Sequence, residues 1–125
     1  MVDEIFGKVY FDTGWYRNDL ISFCNRKWKI YVCANSYRIT DLITDDQRTT
    51  YANFVENQSM IEKEIEDLLI SYGGDDFLLT LKPTGLILQR EGGYAILFDD
   101  MSDMDNGIAV ELSPNKEVMT QDDYL

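Results

Sequence analysis

The chain has 125 residues, 45% of them hydrophobic and 13% aromatic, with a formal net charge of −12 and no histidine. That length suits one domain able to bury its own core. The composition excludes a disordered chain, and no apolar run approaches the ~18 residues a membrane helix needs. The lack of histidine removes the commonest catalytic base and a common zinc ligand together.

The first segment, Met1 to Gly7, is acidic and has no basic stretch ahead of an apolar one, so it does not read as a signal peptide and a cytoplasmic address is expected. Residues 5–11 alternate β-branched and aromatic side chains and read as a strand, turned at Asp12-Thr13-Gly14. After the polar run Tyr16-Arg17-Asn18-Asp19, Leu20, Ile21 and Phe23 suggest a second strand. Asn25-Arg26 separates it from a third, 28–33, in which Trp28, Ile30 and Val32 share a face. Three strands with short connections form an antiparallel meander. Cys24 and Cys33 are then two reduced thiols on strands, with no second pair to build a zinc site.

A helix starts after Ile43. Thr44 fits the N-cap with Gln47 three residues later, a capping box, and Asp45 and Asp46 favour the positive end of the helix dipole. Tyr51, Phe54, Gln58, Ile61, Ile65, Leu68 and Tyr72 then recur at alternating spacings of three and four, up to Gly73-Gly74. One helix over 45–72 would be about 42 Å long at ~1.5 Å per residue. A break near Asn57-Gln58-Ser59 is the alternative. Glu56, Glu62, Lys63, Glu66 and Asp67 occupy the outer face.

Residues 77–81 read as a strand or a short linking segment, and Lys82-Pro83-Thr84-Gly85 as a turn. Residues 86–90 and 94–98 form a hairpin about Glu91-Gly92-Gly93. Residues 108–112 make another strand, and 117–119 a last short one after the Ser113-Pro114-Asn115-Lys116 turn. The order predicts a single α+β domain over 1–125: a mostly antiparallel sheet, an N-terminal meander and C-terminal hairpins, packed against one long or broken central helix.

The charge is uneven. Residues 1–40 carry six basic and four acidic side chains, whereas 41–125 carry five and nineteen. A field of this sign repels nucleic acid and anionic membranes and draws basic partners. The basic run Arg26-Lys27-Trp28-Lys29 has the aromatic of a single-strand binder but is too short to outweigh it. The densest acidity is Asp99, Asp100, Asp103 and Asp105, between two apolar runs. A standard calcium loop needs oxygen ligands at positions 1, 3, 5 and 12 with glycine at 6. Setting Gly107 at the sixth position puts Met104 at the third, where a hard cation finds no ligand. A looser divalent-metal site from Asp99, Asp103, Asp105 and Glu111 is the alternative reading. A plain Asx-rich turn is the simplest. Catalytic residues and a cofactor are not expected: no base activates a nucleophile, no carboxylate is singled out for a raised pKa, and the glycine pairs lack phosphate-loop spacing. The reading favoured is a non-enzymatic binding edge of Asp99, Asp100, Asp103 and Asp105, extended by Asp122 and Asp123 of the tail, for a basic protein partner.

Three stretches together carry a resemblance: Ile43-Thr44-(x)2-Gln47-(x)3-Tyr51-(x)2-Phe54, then Leu97-Phe98-Asp99-Asp100-(x)2-Asp103-(x)-Asp105-Asn106-Gly107-Ile108-Ala109-Val110, and Thr120-Gln121-Asp122-(x)-Tyr124-Leu125. This pattern resembles a family of small acidic bacterial domains of unknown function, which implies no particular activity. In size and charge such domains are similar to the immunity proteins that neutralise basic toxin domains, an analogy of character.

Overall fold

Alternating apolar residues build the sheet and a 3.6-residue stripe builds the helices that cover it. In the computed structural model, which describes residues 1–12 and 14–125, the elements run β1 (Val2–Asp3), β2 (Gly7–Lys8), β3 (Tyr10–Phe11), β4 (Gly14–Phe23), β5 (Arg26–Asn35), α1 (Asp45–Glu56), α2 (Gln58–Gly73), a 3-10 helix (Asp75–Thr80), β6 (Leu81–Leu88), β7 (Tyr94–Asp100), β8 (Ile108–Ser113), β9 (Glu117–Thr120) and α3 (Gln121–Tyr124). Strands β3 to β9 form one seven-stranded sheet in sequence order. Its pairs are antiparallel except β5–β6, which is parallel. The exception follows from topology. Strands joined by a tight turn run antiparallel, whereas α1 and α2 carry the chain back to the end where β5 began. The α+β class and the mostly antiparallel sheet therefore stand.

The first expected strand, 5–11, is broken. Gly7 has φ +74°, and Val2–Lys8 folds into its own two-stranded hairpin pairing Val2 with Lys8. The Asp3 carboxylate closes that turn, accepting from Ile5 N at 2.9 Å and Phe6 N at 3.0 Å. The turn expected at Asp12-Thr13-Gly14 falls, at Thr13, outside the described residues. The β4–β5 hairpin turns on Cys24 and Asn25, both at positive φ (53° and 61°), the signature of a two-residue type I′ loop. Cys24 is thus a turn residue, and only Cys33 lies in a strand.

The helical stretch is two helices, meeting at Asn57. The capping box is present: Gln47 N donates to Thr44 Oγ1 at 3.1 Å and Thr44 N to Gln47 Oε1 at 2.9 Å. Asn57 turns its side chain back to Asn53 O rather than capping α2. Tyr51, Phe54, Ile61 and Ile65 are buried as the stripe requires, but the stripe then shifts to Leu69, and Tyr72 is exposed. An α-helix drifts about 20° per heptad against a strict 3.5-residue repeat, so the contact moves on by one position. Gln58, the polar interruption, donates to Leu20 O at 2.9 Å, and Glu62 accepts from Ser22 N at 2.7 Å. Together they satisfy backbone groups along the outer edge of β4.

Of the two readings of 77–81 the short linking segment holds, since residues 77–80 belong to the 3-10 helix between α2 and β6. One further expectation changes. Lys82–Gly85 is no turn but the start of β6, whose register shifts between Pro83 and Gly85. Proline lacks the N–H a central strand needs, and a bulge is where a sheet tolerates it.

Candidate docking edge

Strand parity decides where each aspartate of the acidic stretch points. Phe98 pairs with Ile108 and closes the β7–β8 ladder, and Asp99 and Asp100 continue β7 beyond it. Asp100 shares parity with Tyr94, Ile96 and Phe98, so it faces inward and is buried. Its Oδ1 accepts from Ser102 N at 3.0 Å and Ser102 Oγ at 2.6 Å. Asp99 takes the opposite face, exposed, directly across from Lys82. Loop 101–107 is a series of local turns: Asp103 N donates to Asp100 O, Asn106 N to Asp103 O, and Asn106 Nδ2 to Asp103 Oδ2 at 3.1 Å.

The C-terminus docks against this loop. Thr120 Oγ1 accepts from Asp123 N, which starts α3. Gln121 N donates to Gly107 O at 2.9 Å, and Gln121 Nε2 to Phe98 O at 2.8 Å. A Cβ at Gly107 would displace the end of the Gln121 side chain and with it the bond to Phe98 O. Tyr124 Oη accepts from Gln89 Nε2 at 3.1 Å, and burial pushes its pKa up. Asp122 and Asp123 are therefore ordered beside the loop. The structure brings Asp99, Asp103, Asp105, Asp122 and Asp123 to one end of β7–β9, all exposed, and withdraws Asp100.

The alternative metal set does not assemble. Glu111 pairs with Ala95, four positions along β7 from Asp99, or about 13 Å at ~3.3 Å per residue. Among the described residues no group of three or more His, Cys, Asp or Glu side chains could hold a metal ion. In the basic run of the β4–β5 hairpin the Arg26 guanidinium lies 4.2 Å over the Trp28 ring and occupies that ring face.

A half-buried polar network at the margin of the core escaped the sequence reading. Arg17 and Asp19 share the inward parity of Trp15 and Ile21 and lie beneath α1. Arg17 Nε meets Asp19 Oδ1 at 2.9 Å, Arg17 Nη1 donates to Phe6 O at 2.6 Å, and Tyr51 Oη donates to Asp19. Burial, then the bond to Asp19, holds the Tyr51 hydroxyl well above the usual tyrosine range. The signal was there in the two-residue alternation Trp15, Arg17, Asp19, Ile21.

The fold and edge together define a two-layer α+β domain with an acidic rim at one end of its sheet. No known protein-family model, curated protein or solved structure matches the chain.

Proposed function

We propose that this protein is a non-enzymatic acidic binding module of the small bacterial type described above. On this reading it acts in the cytoplasm as an immunity protein, blocking a basic toxin domain by occlusion. The observation that carries the reading is the edge itself: five exposed carboxylates on backbone tied down by the β7–β8 ladder and by Gln121, in a chain of net charge −12. Exposed carboxylates gathered at one edge form charge-assisted bonds to Arg and Lys, and a field of this sign raises the encounter rate of a cationic partner. No helix among the described residues is long and apolar enough to cross a membrane.

The test is stopped-flow association with purified basic toxin domains as probes, across 0.05–0.5 M salt. The on-rate should fall steeply with salt, and Asp103→Asn with Asp105→Asn and Asp122→Asn should lower it at least tenfold. An on-rate indifferent to salt and to these substitutions would reject the electrostatic edge.

A further inference from the structure

The helix layer is clasped to the margin of the sheet at two points. Thr50 Oγ1 donates to Gly92 O at 2.8 Å, and Lys116 Nζ, in the turn between β8 and β9, donates to Glu64 Oε2 at 2.6 Å. Both clasps border one open groove of about 570 Å³, with Thr49, Asn53 and Asn57 on its helical wall and Tyr94 and Leu112 on its sheet wall. Tyr94 has the inward parity of β7, and its ring meets that of Phe54 edge-on with centroids 6.3 Å apart. The residue is only 7% exposed, yet its hydroxyl has no hydrogen-bond partner among the described residues. Burial, then the Glu64 carboxylate, pushes its pKa up, so it keeps its proton and stays a donor. Such a hydroxyl is satisfied from the groove or not at all.

We propose that this groove binds an extended peptide segment of a partner protein, with a basic side chain at one end of the segment. The helical wall has the spacing of a peptide backbone. Thr49, Asn53 and Asn57 follow at intervals of four residues, about 6 Å at ~1.5 Å per residue, close to the ~6.6 Å over which an extended chain repeats. The Asn57 amide donates to Asn53 O and to Asn53 Oδ1, each at 3.0 Å. Those bonds leave a donor, Asn53 Nδ2, beside an acceptor, Asn57 Oδ1. An extended residue presents its own C=O and N–H on one side, so the pair matches it group for group. The Tyr94 hydroxyl adds a donor from the opposite wall. Met60, 66% exposed, and Leu112 give an apolar rest for a side chain of the segment.

The charges at the two ends select this occupant. Past Thr50 and Gly92 the groove continues to Asp46 and Glu91, and among the described residues neither carboxylate is ion-paired. They favour Arg or Lys at that end. At the other end Lys116 is already paired with Glu64 and does not oppose a cation. Nucleic acid phosphates would be repelled by Asp46, Glu91 and Glu64, and the Tyr94 ring is too buried to stack on a base. The groove is distinct from the acidic edge, since Tyr94 and Asp99 are five positions apart on β7, about 16 Å at ~3.3 Å per residue.

The experiment is fluorescence anisotropy with a labelled, end-blocked hexapeptide, Arg-Lys-Ser-Ala-Ala-Leu, titrated with the full chain at 0.15 M salt. Binding should saturate below about 1 mM. The same peptide with its two central amides N-methylated should bind about tenfold more weakly, because the groove then loses backbone donors. Tyr94→Phe and Asn53→Ala should each lower affinity about fivefold. The urea midpoint of Tyr94→Phe should not fall, because that hydroxyl bonds nothing within the chain, so a lost affinity there is not a lost fold. Asp46→Asn with Glu91→Gln should abolish the preference for this peptide over one beginning Gln-Gln. Amide shifts on titration should gather at 49–57, 92–94 and 112–116. No saturation, equal affinity for the N-methylated peptide, or wild-type affinity in both Tyr94→Phe and Asn53→Ala would overturn the proposal. Shifts confined to 99–105 and 120–123 would overturn it as well while leaving the acidic docking edge standing, so the two readings fail separately.

Discussion

Gln47 offers the sharpest test of how this fold is held. It is fully buried, yet it bonds three separate segments. Its Oε1 accepts from Thr44 N at 2.9 Å, and its Nε2 donates to Asn35 O at 3.0 Å and Leu88 O at 3.1 Å. Asn35 ends β5 and Leu88 ends β6, so one amide clasps the parallel β5–β6 pair to the start of the crossover helix. Replacing Gln47 with Ala removes three bonds of about 1 kcal/mol net each and leaves a small cavity. Asn35 O keeps a donor in Arg90 Nη1 at 3.2 Å, so the group most exposed to penalty is the buried Leu88 O. The expected loss is about 3–4 kcal/mol, a large share of the roughly 5–15 kcal/mol that holds an ordinary domain. Thr44→Ala removes the reciprocal half of the cap and the Thr44 Oγ1 bond to Arg90 O at 2.7 Å, and should cost about 2 kcal/mol. Gln47→Leu refills the volume without the bonds and should fall between the two. Urea unfolding followed by tryptophan fluorescence measures all three, with an unchanged slope showing that the denatured state is unaffected. A Gln47→Ala loss no greater than that of Thr44→Ala would refute the reasoning, because the cap would then account for everything and the strand clasp for nothing.

Two further outcomes follow from titrating groups. Burial alone would raise the Asp3 carboxyl, but the Phe6 and Ile5 N–H groups and Arg48, at 2.7 Å, outweigh it and leave its pKa lowered. Its stabilisation is therefore complete above the unfolded aspartate value near pH 4 and is lost as pH falls through the folded value. Wild-type urea midpoints should drop below pH 4 more steeply than those of Asp3→Asn, and parallel pH curves for the two proteins would count against the N-terminal clasp. Burial, chiefly, pushes the Cys33 thiol up to about 11, so at pH 8 roughly one molecule in a thousand carries its thiolate. A disulfide reagent at that pH should leave Cys33 unlabelled until urea is added; labelling at the unfolded rate would show that β5 opens readily.

What the sequence made legible was local. The capping box needs only Thr44 and Gln47 three residues apart, and it is present as read. The helix stripe, the β6–β7 hairpin and the short last strand are likewise set by neighbours in the chain. The parallel β5–β6 pairing is different, since its partners are more than fifty residues apart and no local pattern names them. The same pairing makes β6 central, and it turned Lys82–Gly85 from an apparent turn into a bulged strand. Proline and glycine punctuate a sequence strongly, but a sheet can absorb both when flanking strands hold the register.

The acidic stretch shows a middle case, in which the information was present but needed the right period. Four aspartates counted as a cluster suggest one site. Counted by twos from Tyr94, they divide: Asp100 follows Ile96 and Phe98 inward, and Asp99 follows Ala95 and Leu97 outward. Only the outward one can meet a partner. The inward one anchors Ser102 and so fixes where loop 101–107 begins. Arg17 and Asp19 obey the same rule in reverse, since apparent surface charges take inward parity and end up bonded to Phe6 and Tyr51 beneath α1.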